Sequence, residues 1–318
     1  MAVYTEVSED QAQALLRTLG LGTLTALRGI EGGIENTNYF VTTPQGEWVL
    51  TLFERLSASQ LPFYLRFMKH LAQRGVAVPD PQASADGALM HTLCGKPAAV
   101  VNRLQGASEL APTAVHCRAV GRALARAHLA ARDFNGTQPN LRGLPWWNAT
   151  APEVLPHLDP AQAALLQSEL SRQNALAASP VYAALPRSAV HCDLFRDNVM
   201  FGGTHAQPLL TGFFDYYFAG VDTWAFDLAV ALNDWTIDLA SGQSEPERQQ
   251  AFLDAYQSVR PLTDAEQALL PAMRRAGALR FWISRLWDFY KPRAAHLLKP
   301  HDPRHFERVL RARIELTA

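Results

Sequence analysis

The chain has 318 residues, enough for two domains or one large two-lobed unit. Its 48% apolar and 19% charged residues, with a mean hydropathy of −0.08, can bury an ordinary core and exclude a largely disordered chain. The 29 Lys and Arg against 30 Asp and Glu leave a net charge of −1, which excludes a global basic footprint for nucleic acid or anionic lipid.

Ser8-x-x-Gln11 reads as a capping box that opens a helix through Leu15, Leu16 and Leu19, ended by Gly20 or Gly22. The period then changes, and Leu24–Leu27, Tyr39–Thr43 and Trp48–Phe53 are expected as strands around the turn Pro44-Gln45-Gly46. A helix is predicted over Ser57–Gln73, stopped by Pro79 and Pro81, and two short strands over Ala88–Leu93 and Pro97–Leu104. Beyond Gly106 the pattern is helical: Thr113–Ala131, Pro160–Ala178, Trp224–Leu239, Glu245–Val259 and Thr263–Tyr290. Asn135–Pro156 is rich in Pro, Gly and Trp and is expected as an ordered loop that buries Trp146 and Trp147. One β interruption, Ala189–Val190, Val199–Phe201 and Pro208–Phe214, splits the helical half. The expectation is an α+β chain with a β-rich N-terminal lobe, residues 1–101, and a mainly helical C-terminal lobe, residues 102–318.

Cys94, Cys117 and Cys192 are odd in number and form no C-x-x-C pair, a poor disulfide framework that fits a reducing compartment. The N-terminal stretch carries Glu6, Glu9 and Asp10 and lacks the basic-then-apolar order of a signal peptide. No apolar run reaches the roughly 18 residues of a membrane span. A cytoplasmic protein is expected.

The most informative stretch is His191-Cys192-Asp193-Leu194-Phe195-Arg196-Asp197-Asn198, which reads H-x-D-x-x-x-x-N just before a hairpin that returns Asp215. Phosphoryl transfer to an alcohol needs a carboxylate to orient the hydroxyl and accept its proton. It also needs hard oxygen ligands that hold Mg²⁺ against the nucleotide phosphates. Asp193 is the candidate base, and Asn198 and Asp215 the candidate metal ligands. Read structurally instead, Asp193 and Asp197 are turn formers and His191 a satisfied buried side chain.

These residues, in this bilobal order, resemble the aminoglycoside phosphotransferase/choline kinase family, relatives of protein kinases. Longer strings are similar to its bacterial homoserine kinase branch: Gly33–Val41, His191–Val199, Asp227-Leu228-Ala229 with Leu232–Trp235, and Leu279–Asp288. The resemblance covers nearly the whole chain. It implies a protein-kinase-like fold, ATP and Mg²⁺ as cofactors, and phosphorylation of the L-homoserine hydroxyl on the way to threonine. By analogy with that fold, Asp227 braces the catalytic loop and Val100–Arg103, with Val101 and Arg103, offers backbone groups to adenine.

The chain departs from the family twice. Thr51 stands on the third strand where related kinases carry Lys or Arg, and the helix over 57–73 has no acidic residue to pair with one. Loss of both halves together avoids an unpaired buried charge. Arg55 and Arg196 are then the candidates to neutralise phosphate, a surface pair with Asp197 being the plainer reading of Arg196. The second departure is Cys192, where Gly is common. A His191–Cys192 dyad is not expected, since neighbours on an extended chain point to opposite sides.

Glu31-Gly32-Gly33 through Asn36, Thr37 and Asn38 suits a loop whose amides and Thr37 hydroxyl cover phosphates, or a plain hairpin turn. Homoserine needs a cation and an anion held apart. Arg280, Arg285 and Asp288 share a helix, Arg285 and Asp288 at i, i+3, so an Arg is placed on the carboxylate and Asp234 on the ammonium. An internal Arg285–Asp288 pair is the alternative, and His128 is expected to pack rather than react. Kinases of other small alcohols, and a kinase-like binding protein without catalysis, remain open alternatives.

Overall fold

The computed structural model describes residues 4–30, 36–291 and 301–316. Helix α1 (Glu9–Leu19) starts with the expected reciprocal cap: Ser8 Oγ accepts the Gln11 N–H at 3.2 Å and Gln11 Oε1 accepts the Ser8 N–H at 2.9 Å. Gly20 ends it in the left-handed region, φ 68°. Strands β1 (Ala26–Gly29), β2 (Asn36–Thr43) and β3 (Gly46–Phe53) precede helix α2 (Leu61–Gln73), and β4 (His91–Leu93) and β5 (Lys96–Asn102) follow it. The five strands form one antiparallel sheet in the order β1-β2-β3-β5-β4. Ala12, Leu15, Leu16 and Leu19 of α1 pack with Tyr39, Val41, Leu50 and Leu52 of the sheet.

Several boundaries here differ from expectation, those of β1, β4 and β5 by one to three residues. β2 begins at Asn36 rather than Tyr39, and alternate side chains along it are buried, the period of a half-buried strand. α2 begins at Leu61 because Ser57–Gln60 closes as a separate turn, with the Gln60 N–H on the Ser57 carbonyl at 3.0 Å.

The helical part contains α3 (Ala114–Ala130), α4 (Leu144–Val154), α5 (Pro160–Ala177) and the one-turn α6 (Pro180–Ala183). Strands β6 (Arg187–Val190), β7 (Val199–Gly203), β8 (Pro208–Phe213) and β9 (Gly220–Thr223) come next, as two pairs, β6 with β9 and β7 with β8. Helices α7 (Trp224–Trp235), α8 (Pro246–Val259), α9 (Asp264–Tyr290) and α10 (Arg304–Glu315) complete the described chain. The expected loop over 135–156 is in part the helix α4. Gly143 caps it and Pro145 falls in its first turn, where a missing N–H costs nothing; Trp147 is buried as expected, while Trp146 is only half-buried. Every residue of α7 is buried; α9 packs on it, and α10 packs on α9, with Leu279, Trp282, Ile283, Phe306, Val309 and Leu310 in one apolar cluster.

By contacts the chain falls into two units, Met1–Gly106 with Thr211–Phe214, and Ala107–Leu210 with Asp215–Ala318. No described helix is long and apolar enough to cross a membrane. All three cysteines are free thiols.

Candidate active site

β6 ends at Val190 and β7 begins at Val199, so the eight residues of the motif span the gap between two strands of the second unit. Cys192 sits in the left-handed region at φ 64°, not on extended backbone as expected. Only glycine adopts that region without strain, which accounts for the Gly of related kinases. The Cys192 N–H donates to Asp227 Oδ1 at 2.6 Å. Asp227, fully buried in the first turn of α7, also has Oδ2 3.0 Å from His128 Nε2. His128 Nδ1 lies 2.7 Å from the Tyr256 hydroxyl, and its ring stacks on Trp224 at 5.4 Å. Burial acts to raise the Asp227 pKa, but the His128 bond, the nearby His128 and His191 charges and the Cys192 N–H outweigh it and hold the carboxyl below its ordinary value. His128 therefore packs, as expected, and also fixes the side chain that fixes the loop.

The Asp193 main-chain carbonyl accepts the Phe195 N–H at 2.8 Å and Asn198 Nδ2 at 2.9 Å. With its amide nitrogen turned to the loop, Asn198 has Oδ1 left to offer. Asp215 follows β8 in the left-handed region, φ 63° and ψ 61°. Burial pushes the Asp193 carboxyl up to about 8; Arg280 opposes that shift, Asp215 and Asp197 add to it, and Arg285 opposes it weakly.

Arg196 and Asp234 depart from their expected roles by meeting each other. Arg196 is buried in the short 3-10 turn Arg196–Asn198. Its N–H and Nε donate to Asp234 Oδ2 at 2.8 and 3.1 Å, its Nη2 to the Asp234 carbonyl, and its Nη1 to the Leu110 carbonyl at 2.9 Å. The guanidinium is thus neither a phosphate ligand nor a surface partner of Asp197, and the Asp234 carboxylate is committed to it rather than to an ammonium. This pair ties the Asp193–Asn198 segment to the C-terminal turn of α7. Arg55, the other candidate, is exposed just beyond β3.

Arg280 is 3% exposed, with its guanidinium 3.7 Å from the Phe281 ring centroid and 5.2 Å from that of Phe218. Its Nε and Nη2 are buried with no hydrogen-bond partner among the described residues. Burial lowers its pKa to about 10, with Asp193 the main group favouring its charge. Arg285 is half-buried and near enough to feel Asp193 and Asp288, while Asp288 is exposed near the end of α9.

In the first unit Asn36, Thr37 and Asn38 belong to strand β2, paired with Phe53, Leu52 and Thr51. The Thr37 hydroxyl is buried and donates to Glu54 Oε1 at 2.7 Å while accepting the Tyr4 and Thr5 N–H groups, so it does not face a phosphate. Asn38 Oδ1 accepts the Thr51 hydroxyl at 2.7 Å. β3 carries no Lys or Arg and α2 no acidic residue; a different ion pair joins Lys96 of β5 to Glu54, just past β3. Nothing in the spacing of Glu54 and Lys96 announces it, since sheet register brings them together. Gly32 and Gly33 lie outside the described residues. The Arg103 N–H donates to the Glu47 carbonyl at 3.0 Å and the Val100 carbonyl accepts the Gln82 N–H at 2.8 Å, so these two groups are used inside the unit rather than offered to a base. The Arg103 side chain pairs with Glu47 and lies 4.1 Å from the Phe40 ring centroid.

Residues 26–262 match the model of the phosphotransferase enzyme family. The chain is similar to homoserine kinase of Polaromonas naphthalenivorans, 62% identical over 99% of this chain and 98% of that protein. It is 57% identical to homoserine kinase of Paraburkholderia phymatum, again over 99% and 98% of the two chains. Among solved structures, an amicoumacin kinase in complex with AMP-PNP and Ca²⁺ shares the fold, with a TM-score of 0.67 at 16% identity over 96% of this chain and 92% of that one. A choline/ethanolamine kinase family protein from Mesorhizobium loti does so with a TM-score of 0.63 at 16% identity, over 97% and 95%. The expected kinase-like α+β fold is thereby shown, and the chain belongs to the homoserine kinase family of the phosphotransferase enzymes.

Proposed function

We propose that this chain transfers the γ-phosphoryl group of ATP to the side-chain hydroxyl of L-homoserine, giving O-phospho-L-homoserine. Asp193 orients the hydroxyl and accepts its proton as the new P–O bond forms. A carboxyl raised by burial is matched to that task, because its proton affinity lies near neutral pH instead of far below it. Asn198 Oδ1 and the Asp215 carboxylate are hard oxygen donors, and Asp215 bears a charge that opposes ionisation of Asp193, so a cation between such groups fits. Mg²⁺ held there supplies neutralisation of the nucleotide phosphates. Nucleotide binding is assigned to the chain up to Val101, with the Val101 main chain toward adenine, and substrate binding to the part beyond. Arg285 and Asp288 are retained as groups near the substrate.

The observation that carries the substrate assignment is the Arg280 guanidinium, buried beside Asp193 with two nitrogens unpartnered. A buried cation without an anion is costly, and the α-carboxylate of homoserine completes it as a bidentate partner. The test is ADP release with homoserine, 3-aminopropan-1-ol (homoserine without its carboxylate), choline and an amino sugar. Homoserine is the expected substrate. Measured on the alkaline plateau, where Asp193 is ionised in both proteins, Arg280→Met should lower kcat/KM for homoserine by roughly 10²–10³-fold and leave the slow turnover of 3-aminopropan-1-ol unchanged. Equal losses on both would remove Arg280 from the carboxylate, and turnover of choline or the sugar alone would remove homoserine.

A further inference from the structure

In the second unit, Glu109, His116 and His205 come from three separate places: the segment before α3, the first turn of α3, and the turn between β7 and β8. One ligand-capable atom from each lies within 4.8 Å of the other two. His205 Nδ1 is 2.8 Å from Glu109 Oε2, and His116 Nε2 is 3.8 Å from the same oxygen. That second separation is too long for a hydrogen bond. Two metal–ligand bonds of about 2 Å each span it.

The group is held in place before any ligand arrives. Ala107 and Phe201 exchange both main-chain hydrogen bonds, at 3.0 and 2.9 Å, which carries the segment leading to Glu109 alongside β7. Glu109 Oε1 accepts the Ala111 N–H at 2.8 Å, so Oε2 alone faces the imidazoles. His116 is 1% exposed, and its ring meets the edge of Phe201 at 5.0 Å. Its far nitrogen, Nδ1, accepts the Thr113 N–H at 3.2 Å and lies 2.9 Å from the Thr113 hydroxyl, contacts that fix the orientation of the imidazole. The His116 and His205 rings lie 4.9 Å apart, and His205 is exposed enough to move by the ångström or so that closing the group requires.

We propose that Glu109, His116 and His205 form a binding site for a divalent transition metal of the zinc type, separate from the phosphoryl-transfer centre. Two imidazoles and one carboxylate suit Zn²⁺ and discriminate against Mg²⁺, which prefers oxygen and water. On binding, the His205 Nδ1 proton now facing Glu109 moves to Nε2 or to solvent, and the His116 proton, held on Nε2 while Nδ1 accepts the Thr113 N–H, moves to Nδ1, where the Thr113 hydroxyl accepts it. The metal then joins the β7–β8 turn to the start of α3, and a fourth position stays open to water.

The test uses the full chain, stripped by chelator, titrated with Co²⁺ in saturating Mg²⁺ so that any Mg²⁺ site is filled. Expected are one equivalent of Co²⁺ with the visible bands of a four-coordinate site and no thiolate charge-transfer band, displacement by Zn²⁺, and a higher melting temperature with Zn²⁺. His205→Ala and Glu109→Gln should lose the bands and weaken Co²⁺ binding by at least about tenfold, with circular dichroism and kinase turnover as in wild type. Wild type that takes up no Co²⁺, a thiolate band, or a His205→Ala chain that binds Co²⁺ as wild type does would each overturn the site.

Discussion

Two of the three buried arginines of helix α9, Arg275 and Arg280, lie about one and a half turns apart and live in opposite circumstances. Arg275 donates from Nε to both Glu169 oxygens at 3.1 Å and again from Nη2, and Gln173 adds a bond to the same carboxylate at 2.9 Å. Arg280 has aromatic rings about it and two nitrogens with no acceptor among the described residues. Residue type, helix and burial are the same, so the difference is not one of local structure. Removing a guanidinium from water costs several kcal/mol either way, and Arg275 has the partner that offsets it while Arg280 does not. A completed charge reports on how the chain folds; an incomplete one reports on what it binds.

The comparison can be broken most decisively at Asp193, the carboxylate that does most to favour the Arg280 charge. Asp193→Asn should lower kcat by roughly 10²–10⁴-fold, because proton acceptance is lost while the side chain keeps its shape. It should not weaken the fold. The folded-state pKa lies above the unfolded value, so ionised Asp193 opposes folding, and that penalty grows as pH rises from about 4 to about 8. In Mg²⁺-free buffer the melting temperature of the Asn variant should therefore rise relative to wild type across that window. A variant less stable at every pH would show that Asp193 is structural.

Next in size is the pair of variants on α9 itself. Glu169→Gln leaves Arg275 buried opposite a neutral amide and should cost about 3–5 kcal/mol in denaturant unfolding, with kcat/KM of the folded fraction unchanged. Arg280→Met should leave stability unchanged or raise it by up to about 2 kcal/mol. If both unfold alike, the two arginines do the same work and the distinction fails.

The smallest effect is on the pH profile. Activity that needs the ionised base should climb toward pH 8 in a plot of kcat/KM for the free enzyme. Arg280 favours that ionisation, so the acid limb of the residual Arg280→Met activity should move to higher pH. A limb that stays in the ordinary carboxylate range would place the base elsewhere.

Much of this was legible in the chain. The Ser8 cap, the helical periods and the H-x-D-x-x-x-x-N spacing are local features, and the structure carries each of them. What the sequence hid depends on distance. Arg196 lies beside Asp197 in the chain, yet its partner is Asp234, because the 3-10 turn directs its guanidinium toward α7. Thr37 looked like a phosphate-facing hydroxyl in a loop, yet register placed it opposite Leu52 and within reach of Glu54. Helix α10 escaped detection because its charges mask a narrow apolar stripe of Phe306, Val309 and Leu310, and β9 because four residues of Gly-Val-Asp-Thr carry no period.

The path of β8 has a consequence for how the molecule is made. Thr211–Phe214 belong with the first unit, where the Phe213 N–H donates to the Ala77 carbonyl and the Thr211 hydroxyl to that of Gln105. The ribosome delivers these four residues only after all of Ala107–Leu210 has emerged. Arg313, buried against Asn233 and the Gly242 carbonyl, comes later still and seals α10 onto the second unit. Neither unit is complete when the other begins, so folding in order of synthesis cannot finish the first before starting the second.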